Sequence, residues 1–186
     1  MQRKIRAICL DCGDTLIDEA TEVKSAGDVS LAAELIPGAA ETVRTLKERG
    51  YPLALVADGP VATFTNKLGP YGLYELFDVY AISEEVGVSK PDARMFTHAL
   101  EQLNIGPDEY SRVVMVGNHL GRDIAGANRL GLVSVWLDWS PRRSKIPADV
   151  WEQPDYTIHT PLELVALVAR LEAEGMTRGQ DDKRKG

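Results

Sequence analysis

The sequence predicts an α/β protein, a Rossmann-like three-layer sandwich in which a central parallel β-sheet lies between two layers of helices. Short, almost wholly apolar runs recur at Lys4–Leu10, Leu53–Ala57, Val79–Ile82, Val113–Val116 and Val133–Leu137. They lack the polar alternation of a half-exposed strand, which is the pattern of strands buried on both faces. Segments of helical periodicity separate most of them, and alternating strands and helices build parallel sheets. The 186 residues suffice for such a core, because a chain of this size buries roughly 70% of its unfolded surface.

Each element has its own signal. Lys4–Leu10 (KIRAICL) runs into a Gly-Asp turn. Pro37 stands at the first position of a helix that carries Val43 and Leu46 and stops at Gly50. A second helix covers Val61–Leu68. The third starts at Pro91, with Met95, Phe96, Ala99, Leu100 and Leu103 at helical spacing. A fourth runs from near Leu120 to Gly131. Asp138 to Asp155 is Pro-rich and aromatic, and is expected to cross the surface irregularly. Thr160, Pro161 and Glu163 then supply the cap, first-turn proline and capping-box glutamate of a helix with Leu164, Leu167, Val168 and Leu171 on its buried face. One domain is expected over residues 1–175, with a charged, disordered tail over 176–186.

Lys and Arg number 21 against 28 Asp and Glu, a net charge of −7. Without a basic stripe this excludes a protein built chiefly to bind nucleic acid or anionic membrane. No run approaches the roughly 18 apolar residues of a membrane span, and no signal-peptide pattern opens the chain, so a cytoplasmic location is expected. Cys9 and Cys12 form a C-x-x-C pair. With no second pair and scattered histidines (His98, His119, His159), Cys9 reads as a small apolar strand residue and Cys12 as a tolerant loop position.

Ligands of open parallel sheets bind at the carboxyl ends of the strands. Here those ends read Asp11-Cys12-Gly13-Asp14-Thr15-Leu16, then Ala57-Asp58-Gly59-Pro60, then Ser89-Lys90-Pro91-Asp92, then Gly117-Asn118-His119-Leu120-Gly121-Arg122-Asp123. A carboxylate on a strand end is rigidly aimed, and phosphoryl transfer depends on positioning and charge neutralisation. Asp11, Asn118 and Asp123 offer the hard oxygen donors that Mg²⁺ prefers. Gly59 leaves backbone amides for an anion near a helix start. Taken singly, Asp123 also fits a first-turn helix residue, Lys90 a solvated loop charge, and Gly59 and Gly117 turn glycines. Together, in this order, they favour a site.

From Ile5 to about Leu137 this order resembles the haloacid dehalogenase superfamily of hydrolases, which are mostly phosphatases. Asp11, Thr15 and Leu16 are similar to its first motif. Lys90-Pro91-Asp92 matches the third, and Gly117 and Asp123 with Ile124-Ala125-Gly126-Ala127 match the fourth. The resemblance implies a Mg²⁺-dependent phosphatase that forms an aspartyl-phosphate on Asp11. Lys90 would hold nucleophile and phosphate together, and Asp11, the Gly13 carbonyl, Asn118 and Asp123 would hold the metal. Asp58, Gly59, Lys90, Arg142 and Arg143 are the phosphate- and substrate-binding candidates.

Three departures weaken that site. The family's acid/base aspartate, two residues after the nucleophile, is Gly13 here, and Asp14 follows a tight turn that aims it elsewhere. Loss of such a group costs about 10²- to 10⁴-fold in rate, so Gly13→Asp is expected to raise the rate. Ala57 replaces the phosphate-binding Ser or Thr, and Asn118 replaces a metal-binding acid, which weakens Mg²⁺. Leu16 to Ile36 is too short for a cap domain, which predicts an open site suited to a bulky or macromolecular phosphorylated substrate or to closure by a second subunit. Trp136, Trp139, Arg142, Arg143 and Lys145 lie near the same edge and could stack on and pair with such a substrate. A catalytically impaired binding or regulatory protein is the second reading. A metal-free hydrolase of the dehalogenase type, attacking carbon through Asp11, is the third.

Overall fold

A computed structural model describes residues 3–27 and 29–174. Its centre is a parallel sheet of β1 (Ala7–Leu10), β4 (Leu53–Ala57), β5 (Val79–Ile82), β6 (Val113–Gly117), β7 (Val133–Leu137) and β8 (Tyr156–Ile158), in the order β5-β4-β1-β6-β7-β8. Every residue of β1, β4, β6 and β7 is buried, as their almost wholly apolar composition requires. Successive side chains alternate between the faces. Ile8 and Leu10 join one core layer with Val43 and Leu46 of α1 (Ala39–Glu48), Phe64 of α2 (Val61–Leu68) and Leu164 and Val168 of α6 (Pro161–Glu174). Ala7 and Cys9 join the other, with Met95, Phe96 and Leu100 of α4 (Ala93–Gln102) and Ala127 of α5 (Ala125–Leu130). Burial of each large side chain contributes about 1.5–3 kcal/mol.

Boundaries shift for local reasons. Helix α1 begins two residues after Pro37 because Gly38, with φ 88, turns the chain first. Helix α4 begins after Asp92, whose carboxylate caps the Arg94 amide. Before α5 the chain makes one wide π-type turn, Leu120–Ile124, and Gly131, with φ 84, ends α5.

Two features are additional to the sequence reading. Ile17–Lys24 (β2) and Ser30–Leu35 (β3) form an antiparallel hairpin rather than a plain connection. The hairpin lies against α2: Thr63 accepts from the Ser30 amide at 3.1 Å, and Asn66 donates to the Ser30 carbonyl at 3.1 Å. Lys67 pairs with Glu22 at 2.7 Å. Residues 138–155 are largely irregular as expected, with one short turn at Val150–Glu152, but β8 then adds a sixth strand. The tail expected over 176–186 lies outside the described residues. Among the described residues no helix is long and apolar enough to cross a membrane.

Cys9 and Cys12 are free and buried. Burial pushes both thiols up to about 12. Cys12 is therefore a core residue, not a tolerant loop position, because the chain after β1 folds inward and its carbonyl accepts from the Leu16 and Ile17 amides.

Candidate active site

Strand order places β1 between β4 and β6, so the chain changes direction along the sheet at β1, where ligands of such sheets bind. Asp11 extends β1: its amide donates to the Val116 carbonyl at 3.0 Å, which fixes its backbone to β6. The Asp11 side chain is 12% exposed. Its Oδ1 accepts from Lys90 Nζ at 2.7 Å, and its Oδ2 only from Thr15 at a long 3.3 Å. Oδ2 is thus the oxygen with lone pairs to spare.

Lys90 is buried, and its three ammonium donors are all used. They reach Asp11 Oδ1 at 2.7 Å, Asp123 Oδ1 at 2.7 Å and the Val56 carbonyl at 2.8 Å. A direct bond from Lys90 to phosphate would therefore require releasing one of these. Burial alone would lower the Lys90 pKa. Asp11, Asp123 and Asp58 outweigh it and hold the lysine well above its ordinary value. With one cation between two acids, burial pushes the deeper carboxyl, Asp123, above the usual range against the pull of Lys90. Asp123 Oδ2 accepts from the His119 amide at 2.9 Å. Gly117 is required here, because a Cβ at that position would overlap the Asp123 carboxylate.

Asp58 accepts from the Lys90 amide at 3.0 Å and faces Arg122 at 3.6 Å, so it fixes the lysine loop. Gly59 does not present the open amide expected of it. That amide donates to Ser83 at 2.8 Å, and the Val61 amide to Glu84 at 2.8 Å, because the one-turn helix α3 (Ser83–Val86) turns both side chains toward this loop.

Asp11, Asp58, Lys90, Arg122 and Asp123 line one cleft with Gly13, Glu19, Phe64, Lys67, Asn118, His119 and Arg143. Its volume is about 60 Å³, far below the ≈ 300 Å³ at which pockets for whole small molecules begin. It matches a phosphoryl-sized head with the remainder of a ligand outside. Asn118 Nδ2, His119 Nδ1 and Arg143 Nε are buried there without partners. Orphaned buried polar atoms are costly, so their concentration in one cleft points to a polar ligand.

The rim comes from segments remote in sequence. Arg143 Nη2 pairs with Glu19 Oε2 at 2.7 Å. Arg142 pairs with Asp14 and, at 3.0 Å, with Asp18, and it does not line the cleft. Asp14, fully buried with φ 50, accepts from the Glu19 amide at 3.1 Å and is likewise turned away from the cleft. Burial, reinforced by Asp14, raises the Glu19 pKa despite Arg143. Trp136 is a structural support rather than a stacking surface. It is 8% exposed, its indole donates to the Asn118 carbonyl at 3.0 Å, and Lys145 lies over its ring at 5.6 Å. Trp139 packs against the core. Sequence reasoning missed Glu19, Lys67, His119 and Arg122, and of these only His119 and Arg122 stood within a recognised motif.

A Rossmann-like sheet whose central strand presents an aspartate bridged by lysine to a second aspartate defines a class of enzyme scaffold. The chain belongs to the haloacid dehalogenase-like hydrolases, whose sequence model matches residues 17–131. It is 35% identical over 135 residues to a glyceraldehyde 3-phosphate phosphatase of Methanopyrus kandleri, a match covering 73% of this chain and 57% of that protein. It is 37% identical over 139 residues to a ribulose-1,5-bisphosphate 5-phosphatase of Halopiger xanaduensis, again over 73% and 57%. The chain thus spans little more than half the length of these relatives. A HAD phosphatase from Thermococcus onnurineus shares the fold with a TM-score of 0.72 and 20% identity, over 94% of this chain and 100% of that one. No cap domain lies over the cleft among the described residues.

Proposed function

We propose that this protein is a phosphomonoester phosphatase that forms an aspartyl-phosphate on Asp11. The observation that carries this reading is the buried Asp11–Lys90–Asp123 bridge beneath a cleft of phosphoryl size, with three buried side-chain nitrogens lacking partners around it. Oδ2 of Asp11 attacks phosphorus. Lys90 fixes the attacking carboxylate, and Asp123 and the Val56 carbonyl fix Lys90. Such rigid placement is the main resource of phosphoryl transfer.

The donor set fits Mg²⁺ with few protein ligands. The bridge carries −1, a phosphate ester adds about −2, and a divalent cation would offset that excess. Among the described residues no three His, Cys, Asp or Glu side chains cluster to bind a metal by themselves. Asp11, the Gly13 carbonyl and the Asn118 amide oxygen would hold it, completed by water and substrate as Mg²⁺ prefers. Asp123 accepts from Lys90 on Oδ1 and from the His119 amide on Oδ2; it fixes Lys90, and the lone pair left on each oxygen leaves it able to join the ligand set. Bound Mg²⁺ supplies charge neutralisation at the phosphoryl oxygens.

The activities for which these relatives are named concern small phosphate esters, which favours a small substrate. Nothing supports the macromolecular substrate or the second subunit expected from the open site. A metal-assisted phosphatase requires that hydrolysis across a panel of phosphomonoesters need Mg²⁺ and vanish in Asp11→Asn. Absence of Asp11-dependent turnover would leave the binding-protein reading. Binding of inorganic phosphate without Mg²⁺ or turnover would support it directly.

A further inference from the structure

Proton transfer to the leaving group has no obvious agent, since Gly13 carries no side chain and Asp14 is turned away. The space at Gly13 is nevertheless filled. A Cβ built on Gly13 would collide with Glu19 Oε1 and lie 2.8 Å from Glu19 Cδ. The carboxylate of a residue on the hairpin thus stands where a side chain at position 13 would begin, and it lines the same cleft as Asp11.

Two contacts hold it, one of them buttressed in turn. The Glu19 amide donates to Asp14, Asp14 is anchored by Arg142, and Arg143 takes Oε2 at 2.7 Å. Oε1, which has no partner among these, is the oxygen turned toward Gly13.

We infer that Glu19 is the proton-transfer residue of this site, supplied by the β2–β3 hairpin in place of a carboxylate at position 13. The inference rests on the phosphatase reading above. In the first step Asp11 Oδ2 forms a bond to phosphorus as the P–O bond to the alcohol breaks, and protonated Glu19 gives its proton to the departing oxygen. In the second, water attacks phosphorus, the bond to Asp11 breaks, and the water proton returns to Glu19. Alcohol and inorganic phosphate leave, and both carboxyl groups return to their initial states. Arg142 and Arg143 are positioning residues. The same contact alters what Gly13→Asp would do, because the new side chain must first displace Glu19.

Leaving groups of different basicity test this in the full chain with Mg²⁺. Glu19→Gln should lower turnover of an alkyl phosphate about 10²-fold or more. With p-nitrophenyl phosphate, whose phenolate departs without a proton, it should still release one product equivalent rapidly before slow turnover. Gly13→Asp combined with Glu19→Ala should restore alkyl phosphate hydrolysis above the level of Glu19→Ala alone. Equal losses on both substrates without a burst, no loss at all, or a burst produced by His119→Gln instead would overturn the assignment. Wild-type protein without Asp11-dependent activity would remove the phosphatase reading and this one with it, whereas activity indifferent to Glu19 would remove this one alone.

Discussion

The floor of the cleft and its rim are built by different physics. The floor consists of Asp11, Lys90 and Asp123, nearly dry and tied to strand ends, with every lysine donor used. The rim is a set of ion pairs from the hairpin and the strap after β7, whose members Arg143 and Glu19 remain 36% and 32% exposed. Charges in a dry site cannot lose a partner cheaply, while half-exposed pairs contribute little to stability. The floor should therefore couple activity to folding, and the rim should affect activity with little effect on folding.

The largest expected effect follows from that coupling. Lys90→Met leaves two buried carboxylates facing each other without a cation, and should cost about 3–5 kcal/mol of stability while eliminating turnover. Denaturant unfolding of the variant beside wild type measures it, and an unchanged midpoint would break the contrast. Asp11→Asn keeps the shape of the floor and lowers its charge. Because Lys90 keeps Asp123 as a charged partner, the substitution should cost less stability than Lys90→Met but more than a rim variant, and lose at least about 10⁴-fold in rate, the scale on which nucleophile removal acts.

Arg143→Ala probes the rim. The exposed pair with Glu19 should account for less than about 1 kcal/mol, a shift of roughly 2–4 °C or less, while alkyl phosphate hydrolysis falls more than p-nitrophenyl phosphate hydrolysis. A large loss of stability with unchanged selectivity would make the rim a structural clasp. The smallest effect concerns the sheet beneath both regions. Because burial holds Cys9 and Cys12 up to about 12, neither thiol should react with a disulfide reagent near neutral pH until the protein is unfolded.

The same division explains what could be read in advance. Floor residues announce themselves because a strand end is fixed in space by the apolar run before it. Asp11, Lys90 and Asp123 fall at three such ends or the loops just beyond them, and parallel order brings them together. Glu19 gives no comparable signal. It lies in Ile17–Lys24, a polar stretch with weak alternation, and its Arg143 partner is 124 residues away. Strand β8 is three residues long, too short for periodicity to register. The Gly59 loop hides its state for a related reason, since a turn sequence does not reveal the tertiary neighbours that satisfy its amides, here Ser83 and Glu84.

The central claim is that Asp11 Oδ2 accepts the phosphoryl group. Enzyme turning over a phosphomonoester with Mg²⁺, quenched rapidly and treated with borohydride, converts an aspartyl-phosphate to homoserine, which peptide mass spectrometry locates. Homoserine at position 11, present only with substrate, is the predicted result. Active enzyme in which Asp11 remains unmodified under every quench time would contradict the account.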